Sequence, residues 1–265
     1  MTASGRVSFA VADGVARLRL VRPEARNAID PAMVTALREA AQACADPAVR
    51  VVLISAAGPA FTVGGDLRHF GPRADEFADT LGEMIPHYHV ALARLASLDV
   101  PVVCAVQGAI AGGGLGLAWV ADLVLAAEDA VFATGFIQLG LSGDGGSSWF
   151  LPRLVGLRRA QEMLMGGRVL SAAEALDWGL VTRVVPRAEL DAEADAAAAR
   201  LAAGPTVALA HMRHLLRASW GATLEQQLAS EGAAMAACAR TADAREGLAA
   251  FAERRAPRFT GKRTR

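Results

Sequence analysis

The chain has 265 residues, enough for one large domain or one domain with a smaller appendage. Its 53% hydrophobic and 20% charged residues support a sizeable core and exclude disordered and fibrous classes. Twenty-seven basic and 27 acidic side chains cancel to a formal net charge of +0, which argues against nucleic acid as the main partner. Lys262 is the only lysine, so neither a phosphate loop ending in Gly-Lys nor a buried Schiff-base lysine is available. Cys44, Cys104 and Cys238 are odd in number and far apart, which fits a reducing compartment rather than a disulfide framework or zinc knuckle. No signal-peptide h-region fits between the charges at Arg6, Asp13, Arg17 and Arg19. The most apolar stretch, Gly108–Ala121, runs 14 residues with five glycines, whereas a bilayer span needs roughly 18 or more. The expectation is a cytoplasmic protein with no membrane partner.

Val7–Ala12 and Val15–Leu20 alternate around Asp13-Gly14 and predict a hairpin. Asp30-Pro31 predicts a helix start, N-cap then N1 proline, with the helix running to about Ala45. Val49–Ala56 and Pro101–Val106 are short β-branched runs that predict buried strands, and helical periodicity fills Ala74–Ala96 between them. Leu123–Ala126 is a further strand candidate. Ser171 and Glu174 form a capping box, Gly179 sits where a helix ends, and Val181–Val185 follows as a strand. From Glu189 to Arg255 the chain is alanine-rich and helical, broken at Gly204-Pro205 and Gly221. Alternating strands and helices followed by helices alone predict an α/β core, residues 1–200, with a helical C-terminal region, 201–265.

Two of the strands run into glycine-rich turns, Phe61-Thr-Val-Gly-Gly-Asp66 and Gly108-Ala-Ile-Ala-Gly-Gly-Gly-Leu-Gly116. Glycine after a strand lets backbone N–H groups face a ligand unobstructed, and a helix starting near Gly113 adds partial positive charge. Two such donors converging make an oxyanion hole; tight packing or turn punctuation is the other reading. The dinucleotide fingerprint fails at Leu117, where its third glycine belongs.

In Phe136-Ile-Gln-Leu-Gly-Leu-Ser-Gly-Asp144-Gly-Gly-Ser-Ser-Trp-Phe150 one acid stands among apolar residues and glycines. Asp144 reads either as the N-cap of a helix beginning at Gly145 or as a proton-shuttling carboxylate in a water-poor pocket. The neighbours Leu139, Leu141, Trp149 and Phe150 predict an apolar setting, which raises a carboxyl pKa. The paired histidines His87/His89 and His211/His214 lack a carboxylate or cysteine at ligand spacing, so no metal site is expected.

Five collinear segments carry a family resemblance: Arg22–Ile29, Ala60–Leu67, Gln107–Gly116, Leu151–Gly156 and Ala175–Val181, with Asp243–Phe259 at the end. Together they resemble the enoyl-CoA hydratase/isomerase (crotonase) superfamily over nearly the whole chain. The resemblance implies a crotonase-like spiral of ββα units, a helical C-terminal trimerisation region giving a homotrimer or dimer of trimers, and an acyl-CoA thioester as substrate. It implies oxyanion donors at the backbone N–H of Gly65 and Gly113, and CoA contacts along Arg26–Ala28 and Val63–Leu67, hence Arg26, Ala28, Val63, Asp66 and Leu67. Gly112, Phe136 and His89 complete the implied substrate pocket.

The departures from the family pattern carry information. Family hydratases have one glutamate where this chain has Gly116 and a second where it has Phe136, so ordinary hydration is disfavoured. Asp144 resembles the single acid of the family's isomerases, which shift a double bond in an enoyl-CoA by 1,3-proton transfer and need no cofactor beyond the coenzyme A of the substrate. The aryl-CoA dehalogenase branch has a nucleophilic aspartate at that position and a histidine where His89 falls, but tryptophan in place of Phe136. Dehalogenation, thioester hydrolysis by Asp144, and an acyl-CoA-binding protein with little turnover therefore stand as alternatives.

Overall fold

The computed structural model describes residues 5–262. Its main sheet has six strands in the order β1-β2-β3-β4-β6-β9: β1 Val7–Ala12, β2 Val15–Leu20, β3 Val51–Ala56, β4 Val102–Val106, β6 Leu123–Ala127 and β9 Arg183–Val185. Only the β1–β2 pair is antiparallel, closed at Asp13-Gly14, where both residues have positive φ (51° and 76°) as a type I′ turn requires. A small second sheet, β5 (Ala109–Ala111), β7 (Val131–Ala133) and β8 (Leu170–Ser171), is a feature the sequence reading did not anticipate.

β3 and β4 are apolar on both faces because both are covered. Val52, Ile54, Val102, Cys104 and Val106 face the larger core, which α1 (Pro31–Ala43) and α3 (Phe77–Ala96) close. Val51, Leu53, Val103 and Ala105 face a smaller core under α8 (Leu190–Ala202). α1 begins as expected, with the Asp30 carboxylate accepting from the Met33 amide at 2.8 Å.

Several boundaries differ from expectation. α1 stops at Ala43, β3 starts at Val51, and residues 71–76 form a 3₁₀ turn before α3 rather than part of it. The triple glycine makes a 3₁₀ turn, Gly112–Gly114, leading into α4 (Leu115–Trp119). Further on lie α2 (Leu67–Phe70), α5 (Ser147–Val155), α6 (Leu157–Leu164) and α7 (Ala172–Asp177), the last with both halves of the Ser171/Glu174 capping box formed. The C-terminal stretch holds α9 (Thr206–Ala218), α10 (Leu224–Ala239) and α11 (Ala242–Ala252), with a break at Arg240-Thr241 that Thr241 re-caps. No helix among the described residues is long and apolar enough to cross a membrane.

Candidate active site

The loops leaving β3 and β4 are zipped together at the C-terminal ends of their strands, a common place for a site in a parallel sheet. The Phe61 amide donates to Gln107 O (2.8 Å), the Thr62 amide to Ala109 O (3.1 Å), and the Ala111 amide to Thr62 O (3.0 Å). Two residues after Thr62, Gly64, at φ +82°, lies against Ala111 and Gly112 so closely that a Cβ would stand 3.0 Å from Ala111 O. Only glycine satisfies both that contact and that φ. The zipper thus sets Gly65 and Gly113 on one cavity wall. Among the described residues neither amide has a protein acceptor; the Gly113 amide is an orphan donor at the start of its 3₁₀ turn.

The Arg22–Ile29 segment buttresses this wall from behind. Asn27, fully buried at φ +55°, donates through Nδ2 to Ala57 O and Ala60 O (both 2.9 Å), and its own carbonyl accepts from the Thr62 hydroxyl (2.8 Å). Arg22 reaches Asp66 Oδ2 (2.7 Å), Asp30 Oδ2 (3.1 Å) and Ala28 O (3.1 Å). Burial by itself would raise the Asp66 carboxyl, but the Arg22 guanidinium and the His69 and Arg68 amides hold it below its ordinary value.

Asp144 enters from the opposite side. Gly145, at φ +64°, packs so tightly on the Gly113 carbonyl that a Cβ there would collide with that oxygen. The adjoining Asp144 carboxylate is thereby held over Gly113: its Oδ2 would lie 3.0 Å from a Cβ at that position. The other oxygen, Oδ1, lies 2.5 Å from His89 Nε2. The helix-cap reading of Asp144 is not what the structure shows, because α5 starts at Ser147 behind Gly146 with no side-chain cap. The expected water-poor isolation is also corrected. The carboxylate keeps 23% exposure beside a half-exposed His89, and Trp149 packs on Trp220 (4.8 Å between centroids) instead of lining the cavity. Leu139 and Leu141 do line it.

The cavity has a volume of about 650 Å³. Of the site residues predicted from sequence, it brings together Val63, Gly65, Leu67, His89, Gly112, Gly113, Phe136 and Asp144. Arg26 (exposed), Ala28 (buried) and Asp66 (engaged by Arg22) stand outside its lining. The sequence reading gave no pocket role to the individual residues of the far wall: Phe77, Leu81, Met84, Ile85 and Tyr88 form one stripe of α3, with Phe70 tilted against Phe77 at 5.4 Å. Their spacing of three and four was visible, but the same spacing serves core packing. Tyr88 is 3% exposed, and its hydroxyl donates to Gly113 O at 2.8 Å. No trio of His, Cys, Asp or Glu at metal-binding spacing occurs among the described residues.

A sequence model described as enoyl-CoA hydratase/isomerase matches residues 10–262. The chain belongs to that family. Family relatives of similar distance carry different chemistries in their names. A 1,2-epoxyphenylacetyl-CoA isomerase of Escherichia coli is 38% identical, covering 95% of this chain and 97% of its own. A 4-chlorobenzoyl coenzyme A dehalogenase of Arthrobacter is 34% identical over 80% of this chain and 76% of its own. The crystal structure of an enoyl-CoA hydratase from Polaromonas superposes with a TM-score of 0.90 at 35% identity, covering 96% and 99% of the two chains. This is an acyl-CoA enzyme of the enoyl-CoA hydratase/isomerase family with the crotonase fold.

Proposed function

We propose that this family member is an enoyl-CoA isomerase that moves a double bond by 1,3-proton transfer, with Asp144 as the acid–base group. The observation that carries the reading is a single carboxylate held 3.0 Å from where a Gly113 side chain would begin, at a residue whose amide has no protein acceptor among the described residues, in a cavity whose other walls are mainly apolar. The thioester oxygen would accept from the Gly65 and Gly113 amides. Asp144 takes a proton from the carbon next to the thioester, and the C–H electron pair enters the enolate that the two amides stabilise. The same carboxylic acid returns the proton two carbons away, converting a 3-enoyl into a 2-enoyl thioester. One acid suffices, and the chemistry calls for no metal or cofactor beyond the coenzyme A of the substrate. Losing one such oxyanion donor typically costs about 3–4 kcal/mol of barrier.

Hydration is disfavoured on steric grounds. A side chain at position 116 would begin 2.5 Å from Gly145 O and 2.8 Å from a Leu92 methyl, so no glutamate fits without moving the segment that carries Asp144. Phe136, 8% exposed, places a ring where a second acid would be needed. His89 favours one further reading, in which Asp144 attacks the halogen-bearing ring carbon of an aryl-CoA and displaces halide, and His89 then activates the water that hydrolyses the resulting aryl ester of Asp144. Asp144 as base for thioester hydrolysis, with free thiol released, is its variant. A 3-enoyl-CoA followed by conjugated-thioester absorbance, beside a halobenzoyl-CoA followed by halide release, with free thiol measured on both, tests both. Halide or thiol release without double-bond movement sinks the isomerase.

The exposed apolar side chains of the C-terminal helices support assembly as a homotrimer or dimer of trimers: Leu224, Leu228, Met235, Leu248 and Phe251 are 56–86% exposed. The balanced charge and the cysteine usage support a cytoplasmic setting.

A further inference from the structure

A run of glycines has no side chains with which to fix its own dihedral angles. Gly112–Gly114 is such a run, and the amide of its central residue is a donor on which the proposed reaction depends. Gly114 is pressed against the Thr62 methyl, and Gly145 backs the Gly113 carbonyl, but these are contacts of shape. One side-chain hydrogen bond reaches the run among the described residues, from the Tyr88 hydroxyl to Gly113 O at 2.8 Å. The Tyr88 ring is anchored in α3, itself packed on α1 in the larger core, so the hydroxyl is presented from a rigid element. Burial, and then the nearby Asp144 charge, push the phenol well above its ordinary pKa, so it stays a donor across the working range. Its one proton is committed to Gly113 O.

We propose that Tyr88 is a positioning residue: by clamping the Gly113 carbonyl it aims the Gly113 amide at the thioester oxygen. This rests on the donor assignment made above. Tyr88 is not itself expected to touch the reacting atoms.

The test reads carbonyl polarisation directly. The CoA thioester of 4-dimethylaminocinnamate absorbs further to the red as its carbonyl is polarised by hydrogen-bond donors. The wild-type protein is expected to shift it, and Asp144→Asn to keep that shift, since it removes the base and not the donors. Tyr88→Phe keeps the ring and its packing. It is expected to bind the probe within about twofold of wild type, to lose most of the red shift, and to lower kcat on a 3-enoyl-CoA about tenfold with KM little changed. Because Tyr88 is the only tyrosine, growth on 3-fluorotyrosine alters this residue alone while retaining its hydroxyl, and both shift and kcat are expected to persist. A full red shift and full kcat in Tyr88→Phe overturn the proposal. Should that variant not fold, the fluorinated protein decides: if it binds the probe unshifted while its hydroxyl is intact, the clamp does not position the donor. A wild-type protein that binds the probe with no shift removes the donor assignment itself, and the positioning role with it.

Discussion

His89 Nε2 and Asp144 Oδ1 lie 2.5 Å apart, although 55 residues separate them in the chain. The contact exists because α3 and the Gly143–Gly146 turn close on the same cavity from two sides. It fixes which way the carboxylate points, and so bears on every chemical reading of the site.

Asp144→Asn keeps the shape and a hydrogen bond but cannot exchange protons. We expect isomerisation to fall by about 10²–10⁴, the usual worth of a positioned acid–base group, with solvent deuterium uptake into a 3-enoyl-CoA lost alongside. Because Asp144 caps no helix, the melting temperature should move by no more than about 3 °C. A variant that unfolds early and still turns over would remove the acid–base role.

His89→Ala separates proton shuttling from chemistry that consumes water. A shuttle needs only Asp144, so the loss from a less well-oriented carboxylate should stay near about tenfold. Any reaction in which His89 activates water should disappear. Steady-state kcat, measured beside free thiol release, distinguishes the two.

Gly116→Ala tests whether position 116 has room. Its methyl would sit 2.5 Å from Gly145 O and 2.8 Å from Leu92, so overpacking should cost about 1–3 kcal/mol. Denaturant unfolding measures it. Gly116→Glu should be worse and gain no hydratase activity; a stable variant that hydrates a 2-enoyl-CoA contradicts this view of the site.

Glu174 illustrates a pH-dependent contribution. The Ser171 amide and hydroxyl, and then Arg168, hold its carboxyl at about 2 instead of the ordinary 4.5. A depressed carboxyl stabilises the fold fully above about 4.5 and loses that contribution as pH falls toward 2. Glu174→Ala should therefore melt earlier than wild type at pH 7, with the gap narrowing across that interval. A gap of constant size would mean the charge contributes nothing.

Assembly is the fifth expectation. Light scattering at micromolar concentration should give three or six times the chain mass. Leu248→Asp combined with Phe251→Asp should shift it to monomer while leaving helix content intact. A wild-type monomer would leave those side chains without the proposed partner.

Much of this was legible in the sequence because the signals were local. Asp30-Pro31, Asp13-Gly14 and the Ser171/Glu174 box each specify one turn by short-range hydrogen bonds, and all three formed. β5, β7 and β8 were not legible, since runs of two or three residues have no periodicity and are created by the neighbours they pair with. At the site, the glycine-rich turns marked the two loops and the family resemblance singled out Gly65 and Gly113, but whether Asp144 capped a helix or faced a cavity depended on where α5 begins, three residues further on. The wall of α3 was hidden for a different reason: Leu81, Met84 and Tyr88 obey the same three-and-four spacing whether they meet protein or ligand.

The donors proposed at Gly65 and Gly113 are main-chain groups, and that has a consequence for inheritance. Apart from replacement by proline, no substitution deletes a backbone N–H. Point mutation can therefore exchange the reacting side chains around the socket while the socket itself persists through long divergence. New reactions can then arise by redecorating its rim, with the thioester still gripped in the same place.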